Sequence, residues 1–144
     1  MTATPIGGPM MPRIAISTSL AILLLLSGCT TPGEQAQLQW SEHSELGTIL
    51  TDGEGYTLYL FTNDEGGSSS CYDQCATNWP PLLTQGTPVV DADVDGDIGT
   101  TQRTDGTTQV TYDGDPLYHF HNDDAPGDAN GQGVGDVWFV IEMA

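Results

Sequence analysis

The sequence predicts a mainly β protein in which two tandem copies of a short β-hairpin-like repeat form one small domain after a signal peptide. Three observations support this prediction. Short runs at 57–61, 109–112 and 137–141 are rich in alternating apolar residues, a pattern typical of strands. Turn-forming residues separate these runs, and the 18 glycines in 144 residues argue against an all-helical fold, because glycine disfavours helices. The third observation is an internal repeat.

The internal repeat appears when the sequence is compared with itself at an offset of 59 residues. Both copies read G-x-x-L-Y-x-F-x-N-D, and a tryptophan follows each aspartate after fifteen residues. Repetition at a fixed period predicts two copies of one structural unit, which we place at about 46–85 and 98–142. The motif residues are Tyr59, Phe61, Asp64 and Trp79 in the first copy and Tyr118, Phe120, Asp123 and Trp138 in the second.

A second similarity precedes the two copies at a smaller offset. The segment L-G-T at 46–48 with Asp-Gly at 52–53 resembles I-G-T at 98–100 with Asp-Gly at 105–106. This similarity predicts an insertion in the second copy that contains residues 109–112. A glycine-rich loop at 127–133 of the second copy replaces the segment that carries two cysteines in the first.

The motif itself is read most simply as structural. Alternate residues of a strand point to opposite sides, so we expect Tyr59 and Phe61 on one face and Leu58 on the other. The Asn-Asp pair at each strand end is a turn former whose carboxylate bonds nearby backbone N–H groups. Asp64 and Asp123 are therefore expected to close turns beside an aromatic core, and a ligand site is the alternative.

Residues 1–28 are predicted to be a lipoprotein signal peptide. Arg13 supplies a positive charge, and residues 14–26 form an apolar run that is interrupted only at 17–19. This run is too short for a transmembrane helix, which needs about 20 residues, but suits a signal peptide. Its end, L-S-G-C, looks like the lipobox of bacterial-type lipoproteins, which predicts lipidation at Cys29. An ordinary signal peptide would need an A-x-A-like site, which is absent, and the true start is Met1, Met10 or Met11.

Residues 29–45 are predicted to form a flexible tether, and residues 46–144 to form the β-rich domain. The tether segment is polar and acidic, and Leu38 and Trp40 are isolated in it. It also contains Pro32 and Gly33, which are common in linkers.

The chain after Cys29 is strongly acidic. It carries one arginine, Arg103, no lysine and 20 acidic residues, a net charge of −19. Nucleic acid is excluded as a partner, because phosphate recognition needs clustered Lys and Arg. Adaptation to high salt is the general explanation of this acidity, and capture of calcium is the more specific alternative.

Cys71 and Cys75 are predicted to form a disulfide. An even pair of cysteines outside the cytoplasm is expected to oxidise. Four residues apart, the two Cα atoms come within bridging distance in a tight turn.

One acidic segment could bind calcium. Asp91, Asp93, Asp95 and Asp97, with a glycine at position 96, match the first positions of an EF-hand loop. Gln102 stands where that loop needs a bidentate Glu. The segment therefore predicts a weak site, and Ca²⁺ is the only cofactor considered.

Two histidines could bind a different metal. His119 and His121 alternate with Tyr118 and Phe120, so on a strand both imidazoles would point to one face. Together with Cys71 and Cys75 they could hold copper or zinc. The alternative is two solvated histidines on the outer face of a strand.

Catalytic signatures are absent from the sequence, and we predict that the protein is not an enzyme. There is no G-x-S-x-G, no H-E-x-x-H and no P-loop.

The motifs together resemble a known family. The chain combines Tyr-x4-Asp at 59–64 and 118–123, Cys-x3-Cys before W-P-P-L at 79–82, and Y-x-G-x-P-L-Y at 112–118. Over about residues 46–142 it is similar to the secreted-repeat lipoproteins with the Yx(F/W/Y)xxD motif. This resemblance implies an exported, lipidated protein of tandem copies, and implies no reaction, ligand or catalytic residue.

These observations predict a lipid-anchored cell-envelope protein that acts as a non-catalytic binding or scaffolding module of unknown ligand. Its predicted partner is the membrane, through a lipid on Cys29, and the sequence identifies no protein partner. One alternative is an extracytoplasmic redox or metal carrier that uses Cys71, Cys75, His119 and His121. A second is a weak calcium-binding module.

Overall fold

The computed structural model of the protein describes residues 34–144. The predicted signal peptide, Cys29 and residues 30–33 of the predicted tether lie outside this range. The strands are β1 Gln37–His43, β2 Gly47–Asp52, β3 Tyr59–Phe61, β4 Val89–Val90, β5 Ile98–Gln102, β6 Thr108–Tyr112, β7 Asp115–Tyr118 and β8 Trp138–Val140. A short helix, α1, covers Gln74–Asn78, and a 3₁₀ turn covers Val134–Asp136. The mainly β prediction is confirmed. In the described part of the chain, no helix is long and apolar enough to cross a membrane.

The strands form two sheets, with the orders β2-β1-β4 and β5-β6-β7-β3-β8. The two copies meet inside the larger sheet, where β3 of the first copy pairs with β7 of the second and Tyr59 lies opposite Tyr118. Strand β8 of the second copy pairs with the other side of β3, while Pro81 of the first copy bridges to Tyr118. Each copy therefore completes the sheet of the other, and the two repeats form one small domain.

The predicted tether is wrong over Gln37–His43, which forms strand β1. This strand pairs with β2 from Leu38 opposite Asp52 to His43 opposite Gly47. Leu38 is almost completely buried, and Trp40 donates its indole N–H to the carbonyl of Asp93 at 3.0 Å. The segment looked like a linker because its apolar contacts come from β2 and from residues about fifty positions away, which local composition does not reveal.

The predicted insertion at 109–112 is also wrong. These residues belong to β6, which lies beside β7 with Thr111 opposite Pro116. In the same way, Thr51 of β2 bridges to Thr57 just before β3. Because β5 pairs with β6 as β1 pairs with β2, the two copies are β1–β3 and β5–β7, each followed by a loop and a tryptophan. The first copy thus begins at β1 and not at residue 46.

Two apolar clusters lie on opposite faces of the central strands. Leu58 and Leu60 face an aliphatic cluster, whereas Tyr59 and Phe61 face an aromatic one. This confirms the predicted alternation along the L-Y-x-F stretch. The buried aliphatic cluster is formed by Ala36, Leu38, Leu50, Leu58, Leu82, Val94, Val110, Leu117 and Ile141.

Candidate functional site

The repeated tyrosines and aspartates meet at the junction of the two copies. The Tyr59 hydroxyl donates to Oδ2 of Asp123 at 2.6 Å. The Tyr118 hydroxyl donates to Oδ2 of Asp64 at 2.6 Å. Each tyrosine therefore bonds the aspartate of the other copy. The sequence of one copy does not predict this exchange of partners, because nothing within it indicates that the tyrosine and the aspartate bond residues of the other copy.

The second oxygen of each aspartate closes a loop of its own copy, as predicted for a turn-forming residue. Oδ1 of Asp64 accepts the backbone N–H and the hydroxyl of Ser70, both at 2.7 Å. Oδ1 of Asp123 accepts the backbone N–H of Asn130 at 2.8 Å. One carboxylate thus joins the loop of its own copy to the core strand of the other.

The electrostatics of these pairs keep the tyrosines protonated. Burial raises the pKa of Tyr59 and of Tyr118 well above the usual value, and the carboxylate that accepts each hydroxyl raises it further. Burial also raises the pKa of the Asp123 carboxyl. At neutral pH the two phenols therefore act as hydrogen-bond donors and not as nucleophiles or bases.

The remaining motif residues form a continuous stack of four aromatic rings. The ring centroids of Phe61 and Trp138 lie 4.1 Å apart, those of Trp138 and Trp79 3.9 Å, and those of Trp79 and Phe120 4.1 Å. Rings of the first and second copies alternate along the stack. Aromatic pairs of this kind contribute about 0.5–1.5 kcal/mol each beyond the buried area, so the stack holds the two copies together.

A buried arginine supports one of the crossed pairs. Arg103 is 5% exposed, and it donates to Ser69 Oγ at 2.9 Å, to Gln109 Oε1 at 2.8 Å and to the Cys71 carbonyl at 2.7 Å. Ser69 Oγ lies 2.6 Å from the hydroxyl of Tyr118. Since that hydroxyl donates to Asp64, Ser69 is the donor to Tyr118. The sequence could have indicated a role for Arg103 in one way, since it is the only Lys or Arg after Cys29.

A cleft of about 290 Å³ opens beside the crossed pair of Tyr59 and Asp123. His119 Nε2 lies 2.9 Å from Oδ2 of Asp52, and within residues 34–144 this is the only contact of an acidic side chain with a basic one at salt-bridge distance. His121 Nδ1 lies 3.0 Å from the carbonyl of Asn78. Both histidines border the cleft, but Phe120 between them borders it too, and β7 ends at Tyr118, so the predicted alternation of 119–121 stays a prediction. The lining residues are Asp52, Tyr56, Thr57, His119, Phe120, His121 and Asp123.

The cleft carries negative charge. Burial acts to raise the pKa of Asp52, but the hydrogen bonds from His119 and from the backbone N–H groups of Tyr56 and Glu54 outweigh it and lower the pKa below its usual value. Asp52 is therefore ionised at neutral pH. The arrangement suits a positively charged or hydrogen-bond-donating ligand.

Cys71 and Cys75 form the predicted disulfide, with an S–S distance of 2.04 Å. Cys71 is completely buried in the aromatic cluster, and the backbone N–H of Trp79 donates to the Cys75 carbonyl at 2.7 Å. The bridge therefore fixes the turn that leads into Trp79. Its sulfur atoms are bonded to each other and do not serve as thiolate ligands beside His119 and His121.

The acidic run Asp91–Asp97 folds against β1 and β6. The backbone N–H of Asp91 donates to the Leu38 carbonyl at 3.0 Å, and Asp113 accepts the N–H of Asp97 at 2.8 Å. Val94, in the middle of the run, is buried in the aliphatic cluster. Between residues 34 and 144 no three His, Cys, Asp or Glu side chains are placed to hold a metal ion. The disulfide keeps Cys71 and Cys75 from joining His119 and His121 as free thiolates, and calcium binding at 91–97 stays a prediction.

Comparison with known proteins identifies both copies. Residues 42–83 and 99–142 each match a family model described as "Secreted repeat of unknown function", and together the matches cover more than half of the chain. No curated protein and no solved structure matches the chain. The two matched segments contain all of the stacked rings and both crossed Tyr–Asp pairs.

Proposed function

We propose, on the premise that this chain belongs to the family of secreted repeats, that it is a lipid-anchored cell-envelope protein with a non-catalytic binding or scaffolding domain. One observation supports a non-catalytic role: the motif side chains join the two copies to each other. Both tyrosines, both tryptophans and the two repeated aspartates bond or pack across the copies. Side chains occupied in this way hold the domain together and are not free to react with a substrate.

The cleft beside Asp52 and His119 is the surface that we assign to binding. Ligand sites are generally concave and combine apolar walls with a few polar groups, and here Phe120 and Tyr56 stand beside two carboxylates and two histidines. An amine-bearing ligand fits this chemistry. Asp52→Asn should abolish any thermal stabilisation by small primary amines that the wild type shows, while neutral isosteres should stabilise neither protein.

Lipidation at Cys29 is supported by the L-S-G-C sequence and by membership of a secreted family. Two acyl chains are sufficient to hold a protein stably at a bilayer, since each buried CH₂ contributes about 0.8 kcal/mol. The acidic domain gains nothing from anionic headgroups. The lipid must therefore provide the attachment.

Metabolic labelling with a fatty-acid analogue tests the anchor directly. The wild type and the double variant Cys71→Ser/Cys75→Ser should both incorporate the label and fractionate with membranes, because neither sulfur is the attachment point. Cys29→Ala should lose the label and accumulate as uncleaved precursor or as a soluble form. A mature N-terminus at any residue other than an acylated Cys29 would refute the anchor.

A further inference from the structure

One loop of the domain lies beside the point at which the chain enters it. We call residues 83–90, which end in strand β4, the entry loop. The backbone N–H of Gln85 donates to the Glu34 carbonyl at 3.0 Å, and the N–H of Val89 donates to the Ala36 carbonyl at 2.7 Å. The Gln35 side chain donates to the carbonyl of Thr87 at 2.7 Å. With a fourth bond, from the Ala36 N–H to Thr84 Oγ1 at 3.0 Å, these contacts fix the entry loop to residues 34–36.

The entry loop differs chemically from the rest of the surface. No charged residue occurs between Cys75 and Val90, although the chain after Cys29 carries 20 acidic residues. Two of the loop's apolar side chains face solvent, with Leu83 43% and Val89 47% exposed. The entry loop itself therefore has exposed apolar surface and no charge, although Leu83 borders a cleft that Glu34, Asp52 and Glu54 also line.

The chain between the anchor and the domain is short. Four residues separate Cys29 from Glu34, and extended chain spans at most about 3.3–3.6 Å per residue, or about 18 Å in all. A domain of this size has a radius of gyration of about 13 Å. An anchor of that length does not let the domain turn freely above a bilayer, so the region around Glu34 must stay near the membrane surface.

We propose that the entry loop is a membrane contact in which Leu83 and Val89 enter the interface between lipid headgroups and acyl chains. This inference rests on the proposed lipid anchor at Cys29. Exposed apolar side chains gain by leaving water, and the loop itself brings no carboxylate against anionic headgroups, whose repulsion acts on the acidic residues around the loop. The contact fixes how the domain stands on the bilayer, which leaves the rest of its surface facing the aqueous phase.

Depth-dependent quenching tests the contact on the intact lipidated protein. Single cysteines are introduced by Leu83→Cys, Val89→Cys and Val134→Cys, and each is labelled with an environment-sensitive fluorophore; the native pair Cys71 and Cys75 is bridged. The proteins are reconstituted into phosphatidylcholine–phosphatidylglycerol vesicles with and without nitroxide-labelled lipid. Val134 is the matched control, because it is an apolar side chain of similar exposure, 39%, in a different loop.

The expected result is a blue shift and a loss of fluorescence with nitroxide lipid at positions 83 and 89, and neither change at 134. Equal quenching at all three positions, or none at any, in protein that floats with the vesicles would overturn the membrane contact while leaving the anchor intact. A blue shift without quenching would mean that another protein copy covers the loop, which also overturns it. Protein that fails to float with the vesicles would refute the anchor and, with it, this inference.

Discussion

The crossed Tyr–Asp pairs make a quantitative prediction about stability. A hydrogen bond to a charged group contributes about 1.5–3 kcal/mol, and leaving a buried acceptor without its donor costs a similar amount. Tyr59→Phe and Tyr118→Phe should therefore each lower the free energy of unfolding by about 2 kcal/mol. For a domain of about 100 residues this corresponds to a fall in Tm of about 8–16 °C. The two effects should be similar, because each variant also removes the acceptor of a second donor: the buried N–H of Gly131 at 3.1 Å for Tyr59, and the Ser69 hydroxyl at 2.6 Å for Tyr118.

Double-mutant cycles in urea distinguish crossed pairing from pairing within one copy. Tyr59→Phe should couple with Asp123→Asn by about 1 kcal/mol or more, and should add independently to Asp64→Asn. Tyr56→Phe is the control, since no hydrogen bond of the Tyr56 hydroxyl occurs within residues 34–144, and it should change stability by less than about 0.5 kcal/mol. Coupling of Tyr59 with Asp64 in place of Asp123, or a Tyr59→Phe variant as stable as the control, would refute the crossed arrangement.

Three further predictions concern pH, packing and salt. In the folded protein the pKa values of Tyr59 and Tyr118 lie above the usual value of about 10. Above that pH the folded state therefore binds more protons than the unfolded state, and the free energy of unfolding should fall by up to about 1.4 kcal/mol per pH unit for each tyrosine. Urea titrations from pH 8 to 11 should show a smaller fall with pH for Tyr59→Phe than for the wild type. Gly131→Ala should lower the free energy of unfolding by about 1–3 kcal/mol in the same assay, because the added methyl would lie 2.8 Å from the ring of Trp79. A variant as stable as the wild type would contradict the packing of that loop. Sodium chloride should raise Tm by screening the net charge of −19 that the chain after Cys29 carries. Calcium at equal ionic strength should raise Tm no further, and an extra shift that Asp95→Asn removes would instead support a site at Asp91–Asp97.

The sequence predicted what depends on local pattern and missed what depends on distant partners. Alternation placed Tyr59 and Leu58 on opposite faces, and cysteine spacing predicted the disulfide, because both follow from a few neighbouring residues. Strand β1 was missed because its stabilising contacts come from β2, β4 and the Asp93 carbonyl. The network of Arg103 was missed for the same reason, since its acceptors belong to Ser69, Cys71 and Gln109.

The exchange of partners between the copies predicts that one copy does not fold by itself. A single copy would contain Tyr59 without the carboxylate of Asp123, and Trp79 without Trp138 and Phe120 on its two faces. It would leave a buried hydroxyl unpaired and an aromatic face in water, so it would be stable only by pairing with a second copy. In this chain the second copy is covalently attached. The repeated Tyr-x4-Asp pattern therefore specifies the junction between copies, and residues that differ between the copies, such as Asp52, His119 and the entry loop, are the ones left to recognise a ligand or a membrane.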